Sequence, residues 1–133
     1  MWPLFLFLAC VPSATQCPER MKWKEERPLD GHRAGWCEGA SGARNGMFRE
    51  WNEGGRLVVD GYFWRNQRSG WWRRWRDDGT LAEEVPYTSG KVHGPSRTFD
   101  ESGALRIEQW HDHGEKAEGA PPSPMDAGDP TTL

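Results

Sequence analysis

Residues 70–81 read GWWRRWRDDGTL. Within it, three tryptophans and three arginines fall in six consecutive positions, Trp71 to Arg76. Taken alone, that suits anionic lipid or nucleic acid, because aromatic rings stack and guanidinium groups pair with phosphate. The neighbouring sequence reads it differently. Residues 46–57 are GMFREWNEGGRL, and residues 94–105 are GPSRTFDESGAL. The stretch is one copy of a repeat, and the repeat decides the fold.

Three blocks of 24 residues, 46–69, 70–93 and 94–117, align without a gap. Four columns are identical: Gly46/Gly70/Gly94, Arg49/Arg73/Arg97, Gly55/Gly79/Gly103 and Leu57/Leu81/Leu105. Trp51/Trp75/Phe99 is always aromatic, Glu53/Asp77/Glu101 and Asp60/Glu84/Glu108 always acidic, and Phe63/Tyr87/His111 always a ring. Asn66, Gly90 and Gly114 share tolerance of left-handed backbone.

Each block reads as a β-hairpin unit. A strand runs from the first glycine to the aromatic column, over residues 70–76 in the second block. A tight turn follows at Asp77-Asp78-Gly79, with glycine supplying a positive φ. The return strand alternates, Leu57, Val59, Gly61 and Phe63 on one face, as with Leu81, Glu83, Val85 and Tyr87. A second turn, over residues 66–70 or 90–94, leads into the next block. If Trp75 and Leu81 face each other, the aromatic and leucine columns form a ridge, and that ridge is the expected core. One unit cannot bury its apolar face alone, so neighbours must stack. The expected fold is all-β: a single-layer antiparallel array of β-hairpin repeats, about three 24-residue units, with a flexible tail.

Composition agrees with a thin fold. The chain has 133 residues, 35% of them hydrophobic, with 16 glycines, 10 prolines and nine tryptophans. That excludes a thick apolar core, while the tryptophans exclude a wholly disordered chain. Net charge is −3 and uneven: residues 44–76 carry eight arginines against three acids, residues 77–108 three basic against seven acidic groups. The basic segment could draw an acidic partner or neutralise its acidic neighbour.

Residues 1–14 read as a secretory signal, an uncharged apolar run too short to span a bilayer as a helix. Cleavage near Ser13 or Ala14 is one route. The other treats Leu8-Ala9-Cys10 as a lipobox, with Cys10 lipidated and the protein membrane-anchored. Cys17 and Cys37 survive either cut. Export favours a disulfide between them, contributing ~3 kcal/mol by loop closure, against two free thiols. Residues 15–34 form a lead-in, residues 35–119 the repeat domain, and residues 120–133 a disordered tail rich in Pro and Gly.

The unit G-x-[aromatic]-x-x-[aromatic]-x-[acid]-x-G-x-L, with the closing turn Gly90-Lys91-Val92-His93-Gly94, resembles the MORN-variant repeat of bacterial YwqK-family antitoxins. The resemblance covers about residues 35–119. It departs at Ser96, which replaces an aromatic, and at Pro86, which implies an edge strand or an interrupted ladder. It implies a binding or scaffolding module, with an antitoxin or immunity role as the alternative.

Nothing in the sequence reads as an active site. There is no GxSxG, P-loop or GxGxxG, and the recurring acids follow the repeat rather than a catalytic pair. No cofactor is expected. The one dense cluster is His111-Asp112-His113: two histidines two apart on a strand point the same way, but no third metal ligand is evident, so no metal site is expected. The function expected is non-enzymatic binding of a protein partner at a bacterial envelope. Anionic lipid or glycan binding is the alternative, and nucleic acid is disfavoured by export and acidity. Removing the shared columns leaves Trp71, Arg74 and Arg76 as candidate partner-binding residues. Strand alternation sets Trp71 on one face and both arginines on the other.

Overall fold

A computed structural model describes residues 17–27 and 31–117. The expected signal, Cys10 and the tail lie outside the described residues. Ten strands form one antiparallel sheet: β1 Lys22–Glu26, β2 Arg33–Glu38, β3 Arg44–Trp51, β4 Leu57–Trp64, β5 Gln67–Trp75, β6 Leu81–Thr88, β7 Lys91–Val92, β8 Gly94–Phe99, β9 Leu105–Asp112 and β10 Glu115–Lys116. Their spatial order follows the chain, except that β7 and β8 both pair with β6. The all-β single-layer hairpin array is therefore the fold. It begins earlier than residue 35, because β1 in the lead-in pairs along β2.

Two kinds of turn alternate with the repeat. At one end, the backbone N–H groups of Asn52, Arg76 and Asp100 donate to the carbonyls of Arg56, Thr80 and Ala104. Each of these turns closes on a left-handed glycine, Gly55, Gly79 or Gly103 at φ 81, 90 and 84°. A β-carbon there would be strained, which accounts for that invariant column. At the other end, the pairs Arg65-Asn66, Ser89-Gly90 and His113-Gly114 all have positive φ. Two left-handed residues between strands define a type I′ turn, whose twist matches the sheet. The second turn is thus two residues long, not the five expected over 66–70 and 90–94, and β5 starts at Gln67 rather than Gly70. Gly70 and Gly94 lie beyond the turns, at φ 68 and 112°. There the register steps from Tyr62↔Ser69 to Asp60↔Arg73, leaving two extra residues in β5. The same break between Val92 and Arg97 separates β7 from β8. Pro86 sits opposite that break, on an interior strand with an interrupted ladder, and its carbonyl accepts from the His93 backbone N–H at 3.0 Å.

A one-layer sheet has no partner to cover it, so its own long side chains lie flat along it. Trp72 spreads over Gly61 of β4, stacks on Phe48 at 5.2 Å, and meets Phe63 and Tyr87 edge-on at 5.0 and 6.2 Å. Arg44 covers Trp36 and Phe63, and Arg68 covers Trp72 and Tyr87. These rings and guanidinium groups stand in for the missing layer. Trp36, Phe63 and Trp72 are buried on this aromatic face, and Cys37, Val58, Ala82 and Pro86 are buried as well.

The expected ridge is not the core. Trp75 and Leu81 are register partners, as are Trp51 with Leu57 and Phe99 with Leu105. Yet the leucines stay half-buried or exposed. The ladder bulges beside each of these pairs. The residue after each leucine takes the protected place, Val58 and Ala82 in the first two units.

Candidate functional site

The other face is organised by charge. Register pairs run Arg49↔Asp60, Asp60↔Arg73, Arg73↔Glu84, Glu84↔Arg97 and Arg97↔Glu108. The arginine column and one acidic column therefore interleave into a single row across six strands, with opposite charges always adjacent. Glu84 is held on both sides, by Arg73 at 3.4 Å and Arg97 at 3.1 Å, and Arg97 reaches Glu108 at 2.6 Å. Hydrogen bonds to Glu108 and Glu84 hold the Arg97 guanidinium more firmly protonated than usual. Asp60 behaves differently: burial raises its carboxyl above the ordinary range, while Arg73 and Arg49 pull it back. These acids recur because they neutralise the arginine column. Sequence reading found both columns but not that they alternate in one row, since the register is invisible until the turns are known.

Beside this row lies an apolar one. Met47 pairs with Tyr62, Trp71 with Pro86, and Pro95 with Trp110. These too are repeat columns, 47/71/95 and 62/86/110, kept apolar without being identical. Tyr62, Trp64 and Trp71 are exposed by 37, 52 and 38%. Arg65 leans over Trp64 at 5.8 Å and Arg97 over Trp71 at 5.7 Å. Large aromatic rings, partly wet and edged by guanidinium groups, make this face suited to a macromolecular partner.

The candidate residues Trp71, Arg74 and Arg76 do not form one site. Trp71 belongs to the exposed row. Arg74 is on the aromatic face and pairs with Glu83 at 3.2 Å. Arg76 is spent on structure, because its guanidinium donates to the carbonyls of Leu81, Phe99 and Asp100 at 3.1, 2.5 and 3.2 Å. It clamps one hairpin end to the next, as Arg56 does by donating to the Asp77 carbonyl at 3.1 Å. Arg76→Ala should therefore cost about 2 kcal/mol, because charged donors to backbone carbonyls are lost. Arg74→Ala removes a surface pair and should cost under ~0.5 kcal/mol. Urea unfolding of the two variants checks the difference. Tyr62 and Trp64 escaped sequence reading, although the signal was present. They occupy the alternate positions of β4 to the Leu57–Phe63 set, and so the opposite face.

Cys17 and Cys37 are bonded, Sγ to Sγ at 2.06 Å, which fits an oxidising compartment. His111 and His113 do not come together: His111 turns its Nδ1 to the Gln109 carbonyl and Ser96 Oγ, while His113 sits in a turn. No helix among the described residues is long and apolar enough to cross a membrane. No family model, curated protein or solved structure matches the sequence.

Proposed function

We propose that this chain is a non-enzymatic β-repeat binding module of the MORN-like kind, exported and held at a bacterial envelope, which docks a protein partner. The observation that carries the reading is the joint exposure of Tyr62, Trp64 and Trp71 on the charge-row face. Tryptophan, tyrosine and arginine are the side chains that most often dominate binding energy, and here they share one face of the sheet. The partner should offer apolar side chains with carboxylates at their margin, to meet the rings and Arg65. The Cys17–Cys37 bond and the apolar leader support export. The repeat resemblance supports binding over catalysis.

The test is capture from envelope extract with the oxidised domain as bait. A single partner should be retained. Trp71→Ala should weaken its binding by about thirtyfold, matching a hot-spot loss of ~2 kcal/mol. Tyr62→Ala should weaken it too, and Arg74→Ala on the opposite face should not. Equal retention by all three variants would sink the assignment of the face.

A further inference from the structure

We infer that His93, Asp112 and His113 form a binding site for one divalent transition-metal ion, with zinc the test case. One ligand atom from each lies within 4.8 Å of the other two. The Asp112 carboxylate is the hub: its Oδ1 is 3.4 Å from His93 Nδ1 and 2.5 Å from His113 Nδ1. The two imidazoles lie against one another with centroids 4.5 Å apart. Two imidazole nitrogens and one carboxylate oxygen are a borderline donor set, suited to zinc, nickel or copper rather than calcium or magnesium.

The distances fit. An ion held at 2.0–2.1 Å by tetrahedral ligands sets those ligands roughly 3.4 Å apart. His93 and Asp112 already stand at that spacing. His113 must open by about 1 Å, a small rotation of an exposed ring. The remaining coordination position faces solvent, because all three side chains are exposed by 44 to 71%.

The repeat explains how the three meet. The register breaks early in β3 and between β7 and β8 set Asn45 and His93 beside the Arg65-Asn66 and His113-Gly114 turns of the hairpins that follow them. The His113 N–H reaches His93 Nδ1 at 3.4 Å, a contact that coordination through this nitrogen would replace, and around the first turn the Arg65 N–H reaches Asn45 Oδ1 at the same distance. The equivalent positions hold Asn45, Trp64 and Arg65 around the first such turn, and Ser69, Thr88 and Ser89 around the second. Of these three turns, only the third gathers His, Asp and His, with His93 from the end of the preceding unit. The third ligand that the linear cluster lacked thus comes from His93, twenty residues earlier.

The experiment is competition between the intact, oxidised chain and a chromophoric zinc chelator. Oxidation removes Cys17 and Cys37 as rival ligands. One equivalent of zinc should be withdrawn. His93→Ala, Asp112→Ala and His113→Ala should each weaken binding at least tenfold, while His32→Ala and His111→Ala leave it unchanged. Failure to withdraw stoichiometric zinc overturns the site, as does a loss on His111→Ala equal to that on His113→Ala. Circular dichroism of each variant separates ligand loss from unfolding: a variant that loses zinc with its sheet signal intact supports the site. If all three ligand variants lost the sheet signal, the cluster would be a structural element instead, and the site would be rejected.

Discussion

Gly61→Ala should destabilise the protein by about 3 kcal/mol, although it adds one methyl group and replaces a residue poorly suited to strands. A β-carbon at Gly61 would stand 2.3 Å from the Trp72 ring. The ring has nowhere to retreat, because Phe48, Phe63 and Tyr87 hold its other sides and Arg68 covers it. Its indole N–H also donates to the Tyr62 carbonyl at 3.2 Å. Trp72→Ala should cost more, about 4 kcal/mol, since the largest buried ring in the centre of the array disappears. The double variant decides whether the two effects share a cause. Once the indole is gone, the methyl group added by Gly61→Ala meets nothing, so the double variant should be no less stable than Trp72→Ala alone. A coupling of about 3 kcal/mol by thermal or urea unfolding is the expected result. Additive losses would mean that Gly61 is needed for its backbone, not for the room it gives the indole.

This pair also marks the boundary of what the sequence discloses. The repeat made the architecture legible: identical glycines at 55/79/103 foretell left-handed turns, and alternation in 57–63 foretells a two-faced strand. The packing was less legible, because it depends on columns that differ between units. Gly61, Val85 and Gln109 occupy one column, and Phe48, Trp72 and Ser96 another. The large ring of Trp72 lies over the glycine, whereas the small Ser96 belongs to the unit that follows Val85. Such size compensation emerges only when the register sets β4 beside β5. Arg76 misled for the same reason. It looked unshared and therefore functional, yet its length lets it bridge to the next hairpin, as Arg56 does from a different column. The charged row was hidden in plain view, its two columns visible but eleven and thirteen residues apart along the chain. In the sequence His93 belongs to the closing-turn motif, and only the break between β7 and β8 brings it to His113.

Removing the disulfide by Cys17→Ser with Cys37→Ser should lower stability by about 3 kcal/mol in the chain-entropy model, for a sequence separation of 20. The loss should fall on one end of the molecule. In an open array each strand is stabilised mainly by its two neighbours, so damage at an edge frays the edge rather than the whole. Cys37 is fully buried in β2, and Gly46 of β3 lies close against its side chain and Pro18. The bond therefore pins the segment before β1 onto the first full unit. β1 is the outermost strand, paired only with β2 among the described residues. Its chief apolar anchor is Trp23, which lies over Gly35 and meets Trp51 edge-on at 6.3 Å. Without the bond, amide hydrogens of β1 and β2 should exchange much faster, whereas those of β5 and β6 keep their protection. Trp72→Ala should give the opposite pattern, because it removes the centre on which both halves lean. If hydrogen exchange showed uniform loss over all strands in the cysteine variant, the sheet would be a single cooperative unit. The nearest-neighbour account of this fold would then fail.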